Sequence, residues 1–179
     1  MTLRQVVPAI ALIAAVAFLG VLAQHEASAD VGNHGVKFNT VGGPKKVQPN
    51  TTEVYGIEVS NVDADGADNI SVQLAVTVNN GNCAAPTIDG QAVSSLVKTV
   101  TAVPATDKYL MTFSVGYGAC SDGGAGSDPD YWLTGDACHP GDPAPAGFGG
   151  GACPGTAADN TPDSDPLNDA PVARPVNEH

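Results

Sequence analysis

Basic and aromatic residues are scarce in this sequence. Seven Lys and Arg residues stand against 19 Asp and Glu residues, which gives a formal net charge of −12, and aromatic residues make up 5% of the chain. Phosphates of nucleic acids attract clusters of Lys and Arg, and so do anionic lipid headgroups. We therefore expect no nucleic-acid partner, and contact with a membrane only through the N-terminal segment if that segment is retained.

The sequence also lacks the short motifs that mark common catalytic sites. It contains no G-x-S-x-G, no H-E-x-x-H and no phosphate-binding loop. Its carboxylates concentrate in turns and near the C-terminus, where no apolar surroundings would raise a carboxyl pKa. His34 and His139 lie in Gly-rich stretches without an apolar frame. These features predict a protein that is not an enzyme and has no catalytic residue and no required cofactor.

The first 29 residues have the layout of an export signal. Arg4 precedes an apolar run from Val6 to Ala23, and the small residues Ala27-Ser28-Ala29 predict cleavage before Asp30. The alternative is an uncleaved membrane anchor, because the apolar run approaches the roughly 20 residues that cross a bilayer as a helix. Both interpretations place the rest of the chain outside the cytoplasm, either secreted or at the cell surface.

Apolar and polar residues alternate with period two in the middle of the chain, as in strands with one buried face. The clearest runs are residues 69–79, 108–117 and 53–59, with a shorter one at Val36 and Phe38 and a less regular one at residues 95–103. The apolar positions expected to face inward are Tyr55, Ile57 and Val59; Ile70, Val72, Leu74, Val76 and Val78; and Tyr109, Met111, Phe113, Val115 and Tyr117. Ser71, Gln73, Ala75 and Thr77 would face outward.

Turn residues separate these runs, and no helical periodicity follows residue 29. This pattern predicts an all-β fold, an antiparallel β-sandwich, behind the N-terminal signal helix. We assign residues 30–120 to the sandwich. Residues 121–179 are rich in Gly, Pro and Asp, and we expect them to form a loosely ordered, low-complexity tail with one candidate extra strand near residues 130–134.

Four cysteines, Cys83, Cys120, Cys138 and Cys153, indicate disulfides in an exported chain, with three pairings open. If the last three strands alternate in direction, Cys83 and Cys120 follow strands that run the same way and lie at one end of the sandwich. We therefore prefer Cys83–Cys120 and Cys138–Cys153. The alternative is a metal site that also uses His139, but zinc sites usually contain tight pairs such as C-x2-C, which are absent.

Residues 47–52, 54–61 and 65–72 resemble the first half of the immunoglobulin-like modules of microbial surface proteins called CARDB. In those modules a proline-led turn enters a strand that ends in Asn, and a Gly-containing turn leads to the next strand. Here Pro49, Asn61 and Gly66 hold these positions, and Val62 to Asp65 are inserted before the glycine. The resemblance covers about residues 35–117. It implies a spacer or adhesion module outside the cell.

Two groups of residues are candidate binding sites. Asp63, Asp65 and Asp68 surround Gly66 and could supply oxygen ligands to calcium, although the full EF-hand ligand set is missing. The alternative is an Asp/Gly turn, in which Asp bonds its own backbone. Tyr131 and Trp132, close to acidic residues, could form a platform for sugar stacking, whereas a lone Trp is more often part of a core.

Together these observations predict a non-catalytic secreted or cell-surface β-sandwich module with an adhesion, spacer or interaction role. The partner would be an extracellular protein or a glycan. The alternative function is a small extracellular module that binds calcium through Asp63, Asp65 and Asp68, or carbohydrate through Tyr131 and Trp132.

Overall fold

The computed structural model describes residues 36–62, 66–122, 129–157 and 172–178. Within these ranges the strands are β1 (Val36–Gly42), β2 (Lys46–Val47), β3 (Thr52–Asn61), β4 (Asp68–Val78), β5 (Thr87–Ile88), β6 (Ser95–Val103), β7 (Lys108–Gly116), β8 (Tyr131–Cys138) and β9 (Val172–Glu178). One 3-10 turn spans Ala146–Phe148. No helix in the described ranges has the length and apolar character needed to cross a bilayer. The predicted signal, residues 1–29, lies outside them.

The strands form two sheets, with orders β1-β3-β7-β5 and β2-β9-β8-β4-β6. The predicted all-β sandwich is therefore confirmed. Its arrangement is immunoglobulin-like, because β3 lies beside β7 in one sheet while β4, β8 and β9 lie side by side in the other. The pairings are antiparallel except for β2 and β9, which run parallel through Lys46 with Asn177 and Val47 with Glu178.

The core lies between the sheets and comes from the alternating positions of β3, β4 and β7. β-Branched and aromatic side chains suit a pleated, half-buried surface, which explains why these segments form strands. The fully buried members include Tyr55, Ile57, Val59, Ile70, Val72, Leu74, Phe113 and Val115. At the edge of this core the Tyr117 hydroxyl donates to the Tyr55 hydroxyl at 2.9 Å.

Two expectations about strand faces need correction. Tyr109, predicted to point inward, is 41% exposed. It is the second residue of β7, and the buried positions of this strand begin only at Met111. Ser71 and Gln73, predicted to face solvent, are buried on the outer side of β4. A loop that follows β8, residues 139–157, covers them: the Ser71 hydroxyl donates to Pro154 O at 2.5 Å, and Asn69 Nδ2 donates to Thr156 O at 2.8 Å.

The sandwich extends past residue 120, where the sequence analysis ended it. β8 contains the segment near residues 130–134 that was considered a candidate strand, and it pairs with β4 along its whole length. β9 then pairs with β8. Tyr131, Leu133, Ala137 and Val176 of these strands are fully buried in the common core. Part of the segment assigned to a tail is therefore structural.

The structure joins Cys83 to Cys120 and Cys138 to Cys153, which is the pairing preferred from the sequence. The first bond links the segments that follow β4 and β7 at one end of the sandwich. The second closes the loop that covers Ser71 and Gln73. No thiol is free among the four cysteines, so the zinc alternative through thiolates does not apply.

We predict that the two disulfides contribute unequally to stability. Replacing Cys83 and Cys120 together by Ser should lower the free energy of unfolding by about 4 kcal/mol, and replacing Cys138 and Cys153 by about 3 kcal/mol, in the loop-closure account. The difference arises because the bonded cysteines are 37 residues apart in the first pair and 15 in the second. Urea unfolding of the two double variants measures both losses. A larger loss for the Cys138–Cys153 variant would contradict the prediction.

Candidate functional site

The predicted calcium ligands are only partly described. Asp63 and Asp65 lie outside the described residues, so calcium binding by the predicted set stays a prediction. Asp68 is the first residue of β4 and is 1% exposed. Neither of its carboxylate oxygens has a hydrogen-bond partner among the described residues, so Asp68 does not bond its own backbone as the alternative of an Asp/Gly turn expects.

The predicted sugar platform of Tyr131 and Trp132 is wrong for Tyr131. Neighbouring residues of a strand point to opposite faces, so the two rings cannot share one surface. Tyr131 is fully buried, with its ring against Tyr117 at 4.9 Å between centroids. Its hydroxyl lies 3.3 Å from Ala84 O and 3.5 Å from Gly118 O, like the tyrosine that anchors this corner in immunoglobulin domains. Burial raises its pKa to about 12, helped by the charges of Glu178 and Asp130.

A first polar cluster, the Asp130 cluster, consists of Asn80, Asp122, Asp130 and Glu178 at the end of the sandwich that carries Cys83 and Cys120. Asp130 accepts hydrogen bonds from Asn80 Nδ2 at 2.9 Å and from the Glu178 backbone amide at 2.8 Å. The Glu178 carboxylate accepts from Cys120 N at 3.0 and 3.1 Å. Asp122 accepts from the side-chain amide of Asn80 at 3.0 Å. Asp130 and Glu178 therefore hold backbone segments together, while Asp122 bonds the side chain of Asn80.

Asp130 also lies close to both sulfurs of the Cys83–Cys120 disulfide, within 4.8 Å. Three such groups at this spacing would suit a metal ion if the cysteines were thiolates. Both sulfurs are used in the disulfide, however, and a disulfide sulfur is not the thiolate that binds metals. The oxygens of Asp130 are also already bonded to Asn80 and Glu178. The Asp130 cluster is therefore a structural clamp.

A second polar cluster, the His139 cluster, lies at the opposite end of the sandwich and consists of Asp68, His139 and Asp142. His139 Nε2 is 3.5 Å from Asp68 Oδ1, and His139 Nδ1 is 3.3 Å from Asp142 Oδ2. The side chains are 1%, 5% and 10% exposed for Asp68, His139 and Asp142. The sequence did not predict this cluster, because His139 lies in a Gly-rich stretch without an apolar frame.

Asp136 is a further buried acid, located on the outer side of β8 under the loop of residues 139–157. Its Oδ1 accepts from Ala137 N at 2.9 Å, and its Oδ2 has no hydrogen-bond partner among the described residues. Gly147 lies so close that a Cβ at that position would overlap Oδ2. Burial raises the Asp136 pKa to about 6, and the nearby amides of Ala137 and Gly147 partly oppose the rise. The expectation that no carboxyl is desolvated was wrong here.

A cavity of about 360 Å³ opens between the end of β4 and the segment around β5. Its wall is made of small apolar and hydroxyl side chains and contains no ionisable group. The lining residues are Val76, Thr77, Val78, Ala85, Pro86, Thr87, Ala92, Val93 and Ser94. Such a wall offers no group that could transfer a proton or attack a substrate.

Comparisons with known proteins give a limited result. No family model matches the chain, and no curated protein matches it. Among solved structures, the chain is similar to the CARDB domain of a protein from Pyrococcus furiosus, solved in complex with di-metal ions. The two are 11% identical, the similarity covers 84% of this chain and 97% of that chain, and the TM-score is 0.41. This is the type of module that the sequence resembles. The pairing of the strands by itself shows the sandwich fold.

We predict that Asp136 makes the protein less stable as the pH rises from about 4 to about 6. Its pKa is about 6 in the fold, against an ordinary value of 3.8 for an Asp side chain, so between these two pH values the unfolded chain ionises at this residue while the folded chain does not. The resulting loss is on the order of 3 kcal/mol by linkage, complete above the folded pKa. Urea unfolding across this pH range, with Asp136→Asn as the variant that should lose this dependence, measures it. An identical pH profile for the variant would refute the assignment.

Proposed function

We propose that this chain is a non-catalytic β-sandwich module that acts outside the cytoplasm as a spacer or interaction module. The observation that carries the proposal is the path of the chain. β1 begins at Val36, opposite Asn61 at the end of the sandwich that holds the His139 cluster. β9 ends at Glu178, beside Cys120 at the other end. The first described strand therefore begins at one end of the sandwich and the last one ends at the other, which is the geometry that suits a spacer.

That length follows from the strands. β3 has 10 residues, which at about 3.3 Å per residue spans roughly 33 Å. The two disulfides fit a module that works in an oxidising exterior, where such bonds persist. The net charge of −12 favours solubility and argues against nucleic acid as a partner. An extracellular protein or a glycan remains the proposed partner.

The absence of catalysis is supported by how the buried ionisable groups are used. Asp130 and Glu178 bond backbone amides, and Asp136 is enclosed by the backbone of the covering loop. His139 has carboxylates on both sides, but its side chain is only 5% exposed, so a substrate could not reach it in this conformation. The cavity described above contains no ionisable group.

We predict that probes near the two strand termini are far apart. Spin labels introduced through non-canonical amino acids at Lys37 and Asn177 should give a distance of roughly 30 Å. The two positions lie near opposite ends of the sandwich, and the strands that join these ends are about ten residues long. Pulsed electron paramagnetic resonance measures the distance. Labels at Lys46 and Asn177, which are register partners in β2 and β9, are the matched control and should lie much closer together.

Equal short distances for both label pairs would contradict the spacer geometry. A panel of hydrolase substrates tests the other half of the proposal. Turnover by the purified chain that a single substitution such as His139→Gln abolishes would show that the module is an enzyme.

A further inference from the structure

The chain contains two tripeptides of the form Asn-x-Ser/Thr, the acceptor pattern for N-linked glycans, and the fold treats them differently. They are Asn50-Thr51-Thr52 and Asn69-Ile70-Ser71. A transferase that recognises this pattern has to reach the asparagine amide and the hydroxyl two residues later, because these are the groups that the pattern specifies. The exposure of both groups therefore decides which tripeptide the folded chain offers.

The first tripeptide lies at the turn between β2 and β3, and its two recognised groups face solvent. Pro49 and Asn50 are the turn residues, and Asn50 has a φ of 59°, in the left-handed region that asparagine tolerates. Asn50 and Thr52 are both exposed. No described residue hydrogen-bonds the Asn50 side chain. The Thr51 hydroxyl donates to Gln48 O at 2.7 Å, so the turn is closed without using either recognised group.

The second tripeptide is already used by the fold. Asn69 Nδ2 donates to Thr156 O at 2.8 Å, and Asn69 Oδ1 accepts from Ala102 N at 2.9 Å. Ser71 is fully buried, and its hydroxyl bonds Pro154 O. Both recognised groups are therefore held by the loop that covers the outer side of β4. A transferase could reach them only after this loop had opened.

We propose that Asn50 is a site of N-linked glycosylation and that Asn69 of the folded chain is not; the inference rests on the proposed location outside the cytoplasm. The Asn50 amide nitrogen attacks the anomeric carbon of an oligosaccharide that is carried on a lipid diphosphate. The new N–C bond forms as the bond from that carbon to the diphosphate oxygen breaks. The lipid diphosphate leaves with the electron pair, and the amide gives one proton to a base of the transferase.

A glycan on Asn50 lies at the end of the sandwich where β9 finishes. Val47, the last residue of β2, pairs with Glu178 of β9, and Tyr117 N donates to Thr51 O at 2.9 Å. This is also the end that carries the Cys83–Cys120 disulfide. Because an N-linked glycan is bulky and hydrated, it keeps neighbouring molecules away from this end and adds to the solubility of the module.

The test is transfer of an oligosaccharide to the purified, disulfide-bonded chain by an oligosaccharyltransferase that accepts Asn-x-Ser/Thr, with a lipid-diphosphate-linked donor. Mass spectrometry of the peptides locates the glycan. We expect transfer to Asn50 to be about tenfold or more faster than transfer to Asn69, because Asn69 reacts only in conformations that have lost its two hydrogen bonds. Reduced and alkylated chain, shown to be unfolded by circular dichroism, should accept the glycan at both asparagines.

Thr52→Ala should abolish transfer to Asn50, and Thr52→Ser should retain it. Thr51→Ala is the matched control, because it alters the same turn and keeps the acceptor pattern. Near-ultraviolet circular dichroism establishes that each variant is folded, and the wild-type comparison of Asn50 with Asn69 decides the question if a variant is not. Absence of transfer to Asn50 in the folded wild-type chain would overturn the proposal, and so would equal rates at Asn50 and Asn69.

These outcomes do not depend on where the chain acts, so they are separate from the spin-label distances that test the spacer geometry. Expression of the whole chain in cells that secrete glycoproteins tests the location. Secretion with a glycan on Asn50 would support both proposals. Secretion without a glycan on Asn50 would overturn the inference alone, whereas retention in the cytoplasm would contradict the location on which it rests.

Discussion

The contact between Asp130 and the backbone of β9 is the constraint on which the second sheet depends. Asp130 precedes β8, and its carboxylate accepts from the Glu178 amide at the end of β9, while the Glu178 carboxylate accepts from Cys120 N. Both acids are buried, so water cannot replace these hydrogen bonds if they break. Losing one would leave a buried carboxylate oxygen or amide without a partner, and this cost holds the two segments in one relative position. They fix β8 and β9 to the loop of the Cys83–Cys120 disulfide. The position of β9, and with it the path of the chain from one end to the other, follows from this clamp.

Polar and covalent contacts also explain why a segment rich in Gly, Pro and Asp can join a sandwich. β8 and β9 add few apolar side chains to the core, chiefly Tyr131, Leu133 and Val176. That apolar area alone would not offset the entropy of ordering the segment. The Cys138–Cys153 bond shortens the free loop, and Ser71 and Asn69 bond the backbone of its last residues. Order in this part of the chain thus comes from covalent and polar contacts as much as from burial.

Local patterns in the sequence were sufficient for part of the fold. The alternation in β3, β4 and β7 predicted the buried faces. The expectation that β4 and β7 run in the same direction predicted the Cys83–Cys120 bond, because the two cysteines follow these strands at one end of the sandwich. The environments of Asp68, Asp136 and His139 could not be predicted in this way, because their burial depends on how the loop of residues 139–157 folds back over β4 and β8, which a local pattern does not show. Tyr131 was misassigned for the opposite reason: the candidate strand near residues 130–134 contains both Tyr131 and Trp132, and strand alternation already places their side chains on opposite faces.

Native-state hydrogen exchange of the peptides that cover β4, β8 and β9 tests the central claim, that the last two strands belong to the same cooperative sandwich. The clamp predicts that residues 131–138 and 172–178 are protected to a degree similar to residues 68–78, because all of them open only in global unfolding. Exchange of the β8 and β9 peptides at the rate of an unstructured chain, while β4 remains protected, would contradict the account.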